Sequence, residues 1–231
     1  MTWFIALSVC LVSVASIQAQ QSVTGLVPGS LPTLAEGRFR KALDATATPV
    51  MMDGETAYRQ PPLTLECWVK LSSARQINVI VSCDPRQSSQ HWCLQSQSGT
   101  GKIELYLPGY SPQYISGDAV LADGKWHAAA FTFDGTRVKL FVDGALTAER
   151  EVVRQGKLSP KPGYLCIGMA IDGNARIGCH GLIDDVRLSR TVREIRQKPE
   201  APALLDPLTL GLWTFDQVDQ LAGDPAWTPR P

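Results

Sequence analysis

The sequence predicts an all-β domain, a sandwich or barrel of antiparallel sheets. Three observations favour this class: apolar and polar residues alternate from Leu63 onward, turn-forming residues separate the alternating runs at short intervals, and helical periodicity is confined to residues 191–197. Alternation with a period of two places every second side chain on one face of a strand. Many short strands joined by tight turns are typical of sandwiches and barrels.

The predicted strands begin with the clearest alternating runs, which are residues 63–71, 77–81, 103–107, 138–142 and 182–188. Asp143-Gly144 is the best hairpin signal, because it separates two alternating runs and both central residues of a tight hairpin turn need positive φ. Residues 198–207 are rich in proline and predict an irregular connection, and residues 208–215 return to a strand-like composition.

The first twenty residues differ from the rest of the chain. Trp3 to Ile17 is an almost continuous apolar run, too short to span a bilayer comfortably, and small and polar residues follow it. We predict a signal peptide over residues 1–19, cleaved after Ala19, although Lys and Arg are missing near Met1. A retained membrane anchor is the alternative. Export implies a secreted, periplasmic or cell-surface protein.

The length of 231 residues favours one domain, because β-sandwiches often exceed 200 residues. We expect a tail or linker over residues 219–231. No stretch after the signal peptide is long and apolar enough to span a membrane, so we expect no membrane insertion of the mature chain. Basic and acidic residues number 22 each, and without a basic stripe we expect no nucleic-acid partner.

The mature chain keeps five cysteines, which in an oxidising compartment suggest two disulfides and one free thiol. Cys67 has the parity of the apolar residues of its strand, so we expect it in the core. Cys166 and Cys179 each lie off the apolar face of their runs, and we predict that they pair with each other. Cys83 and Cys93 flank one short connection and form the second predicted pair.

A zinc site built from Cys166, Cys179 and His180 is an alternative use of the same residues. Its spacing fits no zinc motif, and export favours disulfides.

One block of sequence is specific enough to suggest a family. Residues 123–135 read Asp-Gly-Lys-Trp-His-Ala-Ala-Ala-Phe-Thr-Phe-Asp-Gly and continue into an alternating run that ends at Asp143-Gly144. This block resembles the central hairpins of LamG-like domains in the concanavalin A-like lectin/glucanase superfamily. Four further segments agree with the family in order and spacing, namely residues 63–70, 167–168, 181–187 and 208–216. The resemblance covers about residues 36–218, which implies one domain over these residues, preceded by an N-terminal linker over residues 20–35. It also implies a two-sheet antiparallel jelly-roll sandwich, a fold that hosts lectins, hydrolases, adhesion modules and spacers.

The sequence offers no catalytic residues that we can assign. A retaining glycosidase on this fold needs two carboxylates about 5 Å apart, but Asp184 and Asp185 are adjacent strand residues whose side chains should point to opposite faces. Motifs of the Gly-x-Ser-x-Gly and His-Glu-x-x-His type do not occur. His127 is interpreted as a packed strand residue. We therefore expect a protein that is not an enzyme, with glycoside hydrolysis as an alternative.

Asp184 is a candidate cation ligand. It shares parity with apolar residues of its run, and a buried carboxylate must accept hydrogen bonds or bind a cation. It either accepts backbone N–H groups from a neighbouring loop or binds calcium together with Asp172 and Asn174. Calcium is the one cofactor that the sequence suggests.

Aromatic residues near predicted loops are the candidate ligand-binding residues, because sugar sites combine aromatic rings with a few placed polar groups. These residues are Trp92, Tyr106, Tyr110 and Tyr114. The alternative is that Tyr106 belongs to a strand face and the other rings pack locally. We predict a non-catalytic binding module for carbohydrate or another extracellular or cell-surface macromolecule, with a structural or protein-adhesion module at the cell surface as the alternative.

Overall fold

The structure is a computed structural model that describes residues 31–216, so the predicted signal peptide and the tail from residue 219 lie outside the described residues. Eighteen β-strands and one 3-10 helix, Thr56–Arg59, occur within this range. The strands are β1 Leu34–Glu36, β2 Lys41–Asp44, β3 Val50–Asp53, β4 Leu63–Leu71, β5 Asn78–Cys83, β6 Trp92–Ser96, β7 Lys102–Tyr106, β8 Tyr110–Ser111, β9 Tyr114–Val120, β10 His127–Phe133, β11 Arg137–Val142, β12 Ala145–Glu151, β13 Val153–Arg154, β14 Tyr164–Ile167, β15 Met169–Asp172, β16 Ala175–Gly178, β17 Gly181–Ser189 and β18 Thr209–Trp213.

Two large antiparallel sheets form the sandwich. The eight-stranded sheet has the order β1-β2-β17-β4-β10-β11-β12, with β18 paired to β17. The six-stranded sheet has the order β3-β14-β5-β6-β7-β9. Two ribbons, β8–β13 and β15–β16, complete the fold. Strands that are neighbours in the sheets are often distant in sequence, which confirms the predicted jelly-roll class.

The core lies between the inner faces of the two sheets. Leu65 and Phe131 of the eight-stranded sheet meet Leu94 and Leu105 of the six-stranded sheet, and all four side chains are fully buried. The rings of Trp92 and Phe131 meet edge to face with centroids 5.4 Å apart. Burial of such side chains contributes about 1.5–3 kcal/mol each, so this layer stabilises the sandwich.

The strongest predicted turn is confirmed. Asp143 and Gly144 have φ angles of 53° and 85°, and Val142 pairs directly with Ala145 across the turn. Helical periodicity over residues 191–197 is the weaker prediction and is wrong, because this stretch is irregular in the structure. No helix among residues 31–216 has the length and apolarity needed to cross a membrane.

A β-bulge in β17 changes which side chains face the core. The pairing of β17 with β4 shifts just after Asp184, and Asp185 has a φ angle of 51°. Ile183 and Val186 therefore both face the core although their parities differ, and Asp184 lies opposite Trp68 on the outer face. The prediction that Asp184 points to the apolar side is wrong, because the extra residue of the bulge breaks the alternation.

Candidate functional site

The outer face of the six-stranded sheet, called here the platform face, carries a row of side chains in register across four strands. Ser82 pairs with Cys93, Cys93 with Tyr106, and Tyr106 with Tyr114. The residues that alternate with this row, such as Leu94, point into the core. Because β-strand side chains alternate between faces, the row projects outward.

Two tyrosines form the centre of the platform face. The rings of Tyr106 and Tyr114 are stacked, with centroids 4.6 Å apart and planes 25° apart. The Arg86 guanidinium carbon lies 4.2 Å from the Tyr106 centroid, and the His91 ring meets Tyr106 edge on at 5.5 Å. Tyr114 is 44% exposed. Tyr106 is thus held by three neighbours, and the pair presents Tyr114 to solvent.

A polar network lies beside the tyrosines on the same face. The Glu104 carboxylate accepts hydrogen bonds from the Gln95 and Gln97 side-chain amides and from the Ser116 hydroxyl, each at 2.8 Å. Gln95 and Glu104 are buried, whereas Ser116 is exposed. The Arg86 Nη1 donates to Gln95 Oε1 at 3.4 Å and so links this network to the ring pair. A buried polar network of this kind fixes its side chains in one orientation.

The ribbon β15–β16 packs along β5 on the platform face. Ala170 packs against Val79 and Cys93, and Ile177 packs against the same apolar cluster, which includes Tyr106. At the turn of this ribbon, Asp172 lies 3.7 Å from Arg86. Desolvation by burial, and then the neighbouring Tyr114, raise the pKa of the Tyr106 hydroxyl, which favours its neutral form.

A buried ion pair supports the loop that carries Arg86. The Arg59 Nε donates to both carboxylate oxygens of Asp84 at 3.0 Å, and Asp84 also accepts the Gly163 N–H at 2.8 Å. The Nδ1 of His91 lies 2.9 Å from the Asp84 carbonyl oxygen, and burial lowers the pKa of His91 to about 4. The neutral His91 ring therefore serves as a fixed support behind Tyr106.

The outer face of the eight-stranded sheet, called here the covered face, is closed by the chain itself. Residues 190–207, the covering segment, run across it: the Ala203 N–H donates to Asp185 at 2.7 Å, and Lys198 lies 5.3 Å from the Trp68 ring. Trp68 is only 2% exposed, and Phe39 meets it edge to face. The aromatic ring on this face is therefore a packing element.

His127 lies at the margin of the covered face between two carboxylates that the sequence interpretation missed. Its Nδ1 is 3.0 Å from Asp143 and its Nε2 is 3.1 Å from Asp123. Lys198 also contacts Asp143 at 3.0 Å. The cluster ties the covering segment to the hairpin at Asp143-Gly144.

Two predicted ligand-binding aromatics lie elsewhere. Trp92 is 2% exposed, and its Nε1 donates to the Tyr58 carbonyl at 2.7 Å, so it is a core residue and not a surface ring. Tyr110 packs edge to face on Phe133 and contacts the core cluster. Of the four predicted aromatics, the structure brings together Tyr106 and Tyr114.

The predicted disulfides are wrong, since the five cysteines of the described residues are free. Cys83 lies opposite Trp92 and faces the core, whereas Cys93 lies opposite Ser82 and faces outward. Cys166 is likewise on the outer face, but Cys179 is in the core with Cys67. Cys67 lies where its strand parity predicts. In each predicted pair, one cysteine thus faces the core and the other faces outward.

The candidate metal ligands are also separated. Asp172 and Asn174 lie at the turn of the ribbon on the platform face, while Asp184 lies on the covered face and accepts the backbone N–H groups of Arg38 and Phe39 at 2.8 and 3.3 Å. This is the hydrogen-bonded alternative predicted for Asp184. Among residues 31–216, no three His, Cys, Asp or Glu side chains form a group that could hold a metal ion.

The candidate zinc ligands Cys166 and Cys179 are also separated. Cys166 lies on the outer face of its sheet whereas Cys179 lies in the core, and burial raises the pKa of the Cys166 thiol to about 12. A zinc-binding cysteine must be a thiolate.

The sequence interpretation missed the polar half of the platform face. Gln95 and Glu104 have the parity opposite to Leu94 and Leu105, so their outward direction was available from the alternation. Arg86 had no such signal, because it lies in a loop that only the folded chain brings over Tyr106.

A sequence profile of the concanavalin A-like lectin/glucanases superfamily, of the laminin G type, matches residues 45–196, which is about two-thirds of the chain. The chain belongs to this superfamily. Two solved structures agree with that assignment in fold. The fourth domain of an extracellular arabinanase from Geobacillus stearothermophilus, solved in complex with arabinotriose, has a TM-score of 0.54 at 18% identity, with 84% of this chain and 82% of that chain covered.

A candidate carbohydrate-binding protein from Bacteroides ovatus is similar with a TM-score of 0.50 at 16% identity. The alignment covers 67% of this chain and 45% of that one, so this chain spans less than half of the Bacteroides protein. At these identities the likeness concerns the fold, which many functions share.

Proposed function

We propose that this protein is an exported, non-catalytic carbohydrate-binding module and that the platform face is its binding surface. The observation that carries the proposal is the stacked pair of Tyr106 and Tyr114, which is rigidly held and exposed on the Tyr114 side. A sugar ring offers an apolar face of C–H groups and a rim of hydroxyls. An exposed aromatic ring beside fixed polar groups complements both features.

Preorganisation supports the same surface. Arg86 and His91 hold Tyr106 before any ligand arrives, and Glu104 orients the amides of Gln95 and Gln97. A site whose side chains are already ordered loses less conformational entropy on binding. The Geobacillus domain, solved with arabinotriose, has the same fold, which supports a binding role on this scaffold.

The use of the carboxylates supports a non-catalytic role. Both oxygens of Glu104 accept hydrogen bonds from neighbouring side chains, which suits an orienting group. Asp184 and Asp185, the adjacent acids of the sequence, accept backbone N–H groups on the eight-stranded sheet. A glycosidase needs a pair of carboxyls free to act on one bond.

A protein-adhesion module is the second candidate function. The observation that favours it is a set of exposed leucines near the end of the covering segment, where Leu204 is 76% exposed and Leu205 and Leu208 are each 44% exposed. Such residues would contact a protein partner on the side opposite the platform face.

Binding to a panel of plant, microbial and animal polysaccharides tests the proposal. We expect Tyr114→Ala to weaken binding about tenfold, because an aromatic contact contributes up to roughly 1.5 kcal/mol. Tyr114→Phe keeps the ring and should retain most of the affinity. Leu204→Ala, on the opposite side of the molecule, is the matched control and should bind like the unchanged protein.

Two results would count against this assignment. Glycan binding that survives Tyr114→Ala but is lost in Leu204→Ala would move the site to the other face. Release of reducing sugar from a bound polysaccharide would make the protein a hydrolase.

A further inference from the structure

An open cavity of about 390 Å³ lies at the far end of the platform face from the tyrosines. It is lined by Gln76, Ile77, Ser98, Arg176, Ile177 and Gly178. Its volume is in the range of small-molecule sites. The lining combines one cationic side chain and neutral hydrogen-bonding groups with two isoleucines, and it contains no carboxylate.

The cavity and the tyrosines belong to one surface. Ile77 and Ile177 pack in the same apolar cluster as Tyr106, so this cluster connects the two ends. Ile77 directly precedes β5 and is five residues before Ser82, which is roughly 16 Å along the strand at about 3.3 Å per residue. Tyr114 lies three strands across the sheet from Ser82, roughly 14 Å at about 4.8 Å per strand. A sugar ligand that contacts both ends must therefore be an oligosaccharide.

Arg176 is the positively charged residue of the cavity, and it forms no ion pair with another described residue. No carboxylate among residues 31–216 lies within 4.0 Å of its guanidinium, whereas Arg86, at the other end of the platform face, lies 3.7 Å from Asp172. Arg75 is exposed beside the lining residue Gln76 and likewise forms no ion pair among those residues. An uncompensated guanidinium in a concave surface is a favourable site for a carboxylate or a sulfate ester.

We propose that the cavity is a subsite for an acidic sugar and that the ligand is an oligosaccharide bearing carboxylate or sulfate groups. The acidic group would be held by Arg176 with support from Gln76 and Ser98, while another sugar of the same chain stacks on Tyr114. This inference rests on the proposed function of the platform face and adds the chemical class of its ligand.

The test compares three ligand sets on the full chain by isothermal titration calorimetry: oligogalacturonates for carboxylates, sulfated dextran oligosaccharides for sulfates, and arabinan oligosaccharides as the neutral set. We expect tighter binding to an acidic set than to the neutral one. Arg176→Ala should weaken acidic binding roughly tenfold to a hundredfold, because a hydrogen bond to a charged group contributes about 1.5–3 kcal/mol. Arg196→Ala removes an equal charge from the covering segment and should leave binding unchanged.

A second variant fills the cavity without removing charge. A Cβ atom at Gly178 would meet no other atom within 4 Å, so Gly178→Leu places a side chain in open space without a steric clash at the backbone. We expect this variant to keep the thermal midpoint and to lose acidic-ligand binding to a similar extent. Rising salt should weaken the binding of the unchanged protein more than that of Arg176→Ala.

The outcomes separate the two proposals. Tight binding to the neutral set alone, equal in Arg176→Ala and in the unchanged protein, would overturn the acidic subsite and leave the proposed function standing. Acidic binding that depends on Tyr114 but survives both Arg176→Ala and Gly178→Leu would also overturn the subsite. Failure to bind any of the three sets or any member of the polysaccharide panel would overturn both.

Discussion

The two outer faces of the sandwich use the same kinds of side chain for different purposes. On the covered face, Trp68 is enclosed by Phe39 at 5.8 Å, by the Arg38 guanidinium at 4.8 Å and by Lys198 at 5.3 Å. On the platform face, Tyr106 also has an aromatic neighbour and a guanidinium, but its partner Tyr114 remains 44% exposed. The difference is that the covering segment and the turn between β1 and β2 both pack over Trp68. An aromatic ring with a cation becomes part of the core where the chain returns over it, and stays available to a ligand where it does not.

The acidic residues of the two faces differ in the same way. On the covered face, Glu66 lies 3.8 Å from Arg193 of the covering segment, and Asp185 accepts a backbone N–H of that segment. On the platform face, Glu104 is surrounded by neutral donors. On the covered face these acids thus attach the covering segment, whereas Glu104 on the platform face orders neutral groups.

The largest expected effect separates a packing ring from a binding ring. Trp68→Ala should lower the free energy of unfolding by about 3–5 kcal/mol, because it leaves a cavity where a fully buried indole packs. Tyr114→Ala, the matched change on the platform face, should cost less than about 1 kcal/mol because the ring is partly exposed. Urea unfolding followed by fluorescence measures both. Similar losses in the two variants would contradict the contrast between the faces.

The next effect is a loss of stability at low pH caused by His91, which is buried beside Tyr106 of the platform face. Burial lowers the pKa of His91 to about 4, so the unfolded chain takes up this proton at a higher pH than the folded protein does. The stabilisation is complete above pH 6.5 and is lost as pH falls from 6.5 to 4, by about 3 kcal/mol. His91→Asn keeps a donor toward the Asp84 carbonyl and should remove this loss. A variant that loses stability as steeply as the unchanged protein would show that His91 is not the titrating group.

The covered face should respond to pH in the opposite direction. Burial raises the pKa of Asp184 to about 6, with the backbone N–H groups of Arg38 and Phe39 only partly offsetting it. The folded protein therefore holds this proton more tightly, and stability falls as pH rises from about 4 to 6. Asp184→Asn keeps an acceptor for those N–H groups and should flatten this part of the profile. An unchanged slope between pH 4 and 6 would contradict the assignment.

The smallest expected effect is at the surface of the covering segment. Lys198 pairs with Asp143 at 3.0 Å, but its side chain is 42% exposed, so Lys198→Ala should cost less than about 1 kcal/mol. The segment should nevertheless open more often, because Lys198 also covers the Trp68 ring. Hydrogen exchange at the Ala203 amide would report this opening. Exchange as slow as in the unchanged protein would show that the other contacts hold the segment alone.

The fold was predictable because it depends on alternation and turns. Residues 63–71 coincide with β4, and Asp143-Gly144 forms its tight turn. The wrong predictions arise where a shift of one residue in a strand or in its pairing reverses the side of the sheet to which side chains point. A bulge after Asp184 inverted the expected direction of that side chain, and Cys83 and Cys93 face opposite sides because β5 and β6 pair one residue away from the register that a disulfide would need.

The candidate site was only partly predictable for a related reason. Tyr106 and Tyr114 were predicted as ligand-binding residues because they lie near turn residues. The same criterion wrongly included Trp92, which lies in the core with Leu94. Arg86 reaches Tyr106 from a loop, and Arg176 reaches Ile77 from the separate ribbon β15–β16. Contacts between elements that are distant in sequence depend on the packing of the whole fold.

The most direct test of the central claim is to map which face a bound glycan protects. Hydroxyl-radical footprinting of the protein with and without the polysaccharide that it binds best would compare Tyr114 with Leu204 and Leu205. We predict that Tyr114 becomes protected while both leucines, on the covering segment, keep their reactivity. Protection of the leucines with an unchanged Tyr114 would contradict the assignment of the platform face.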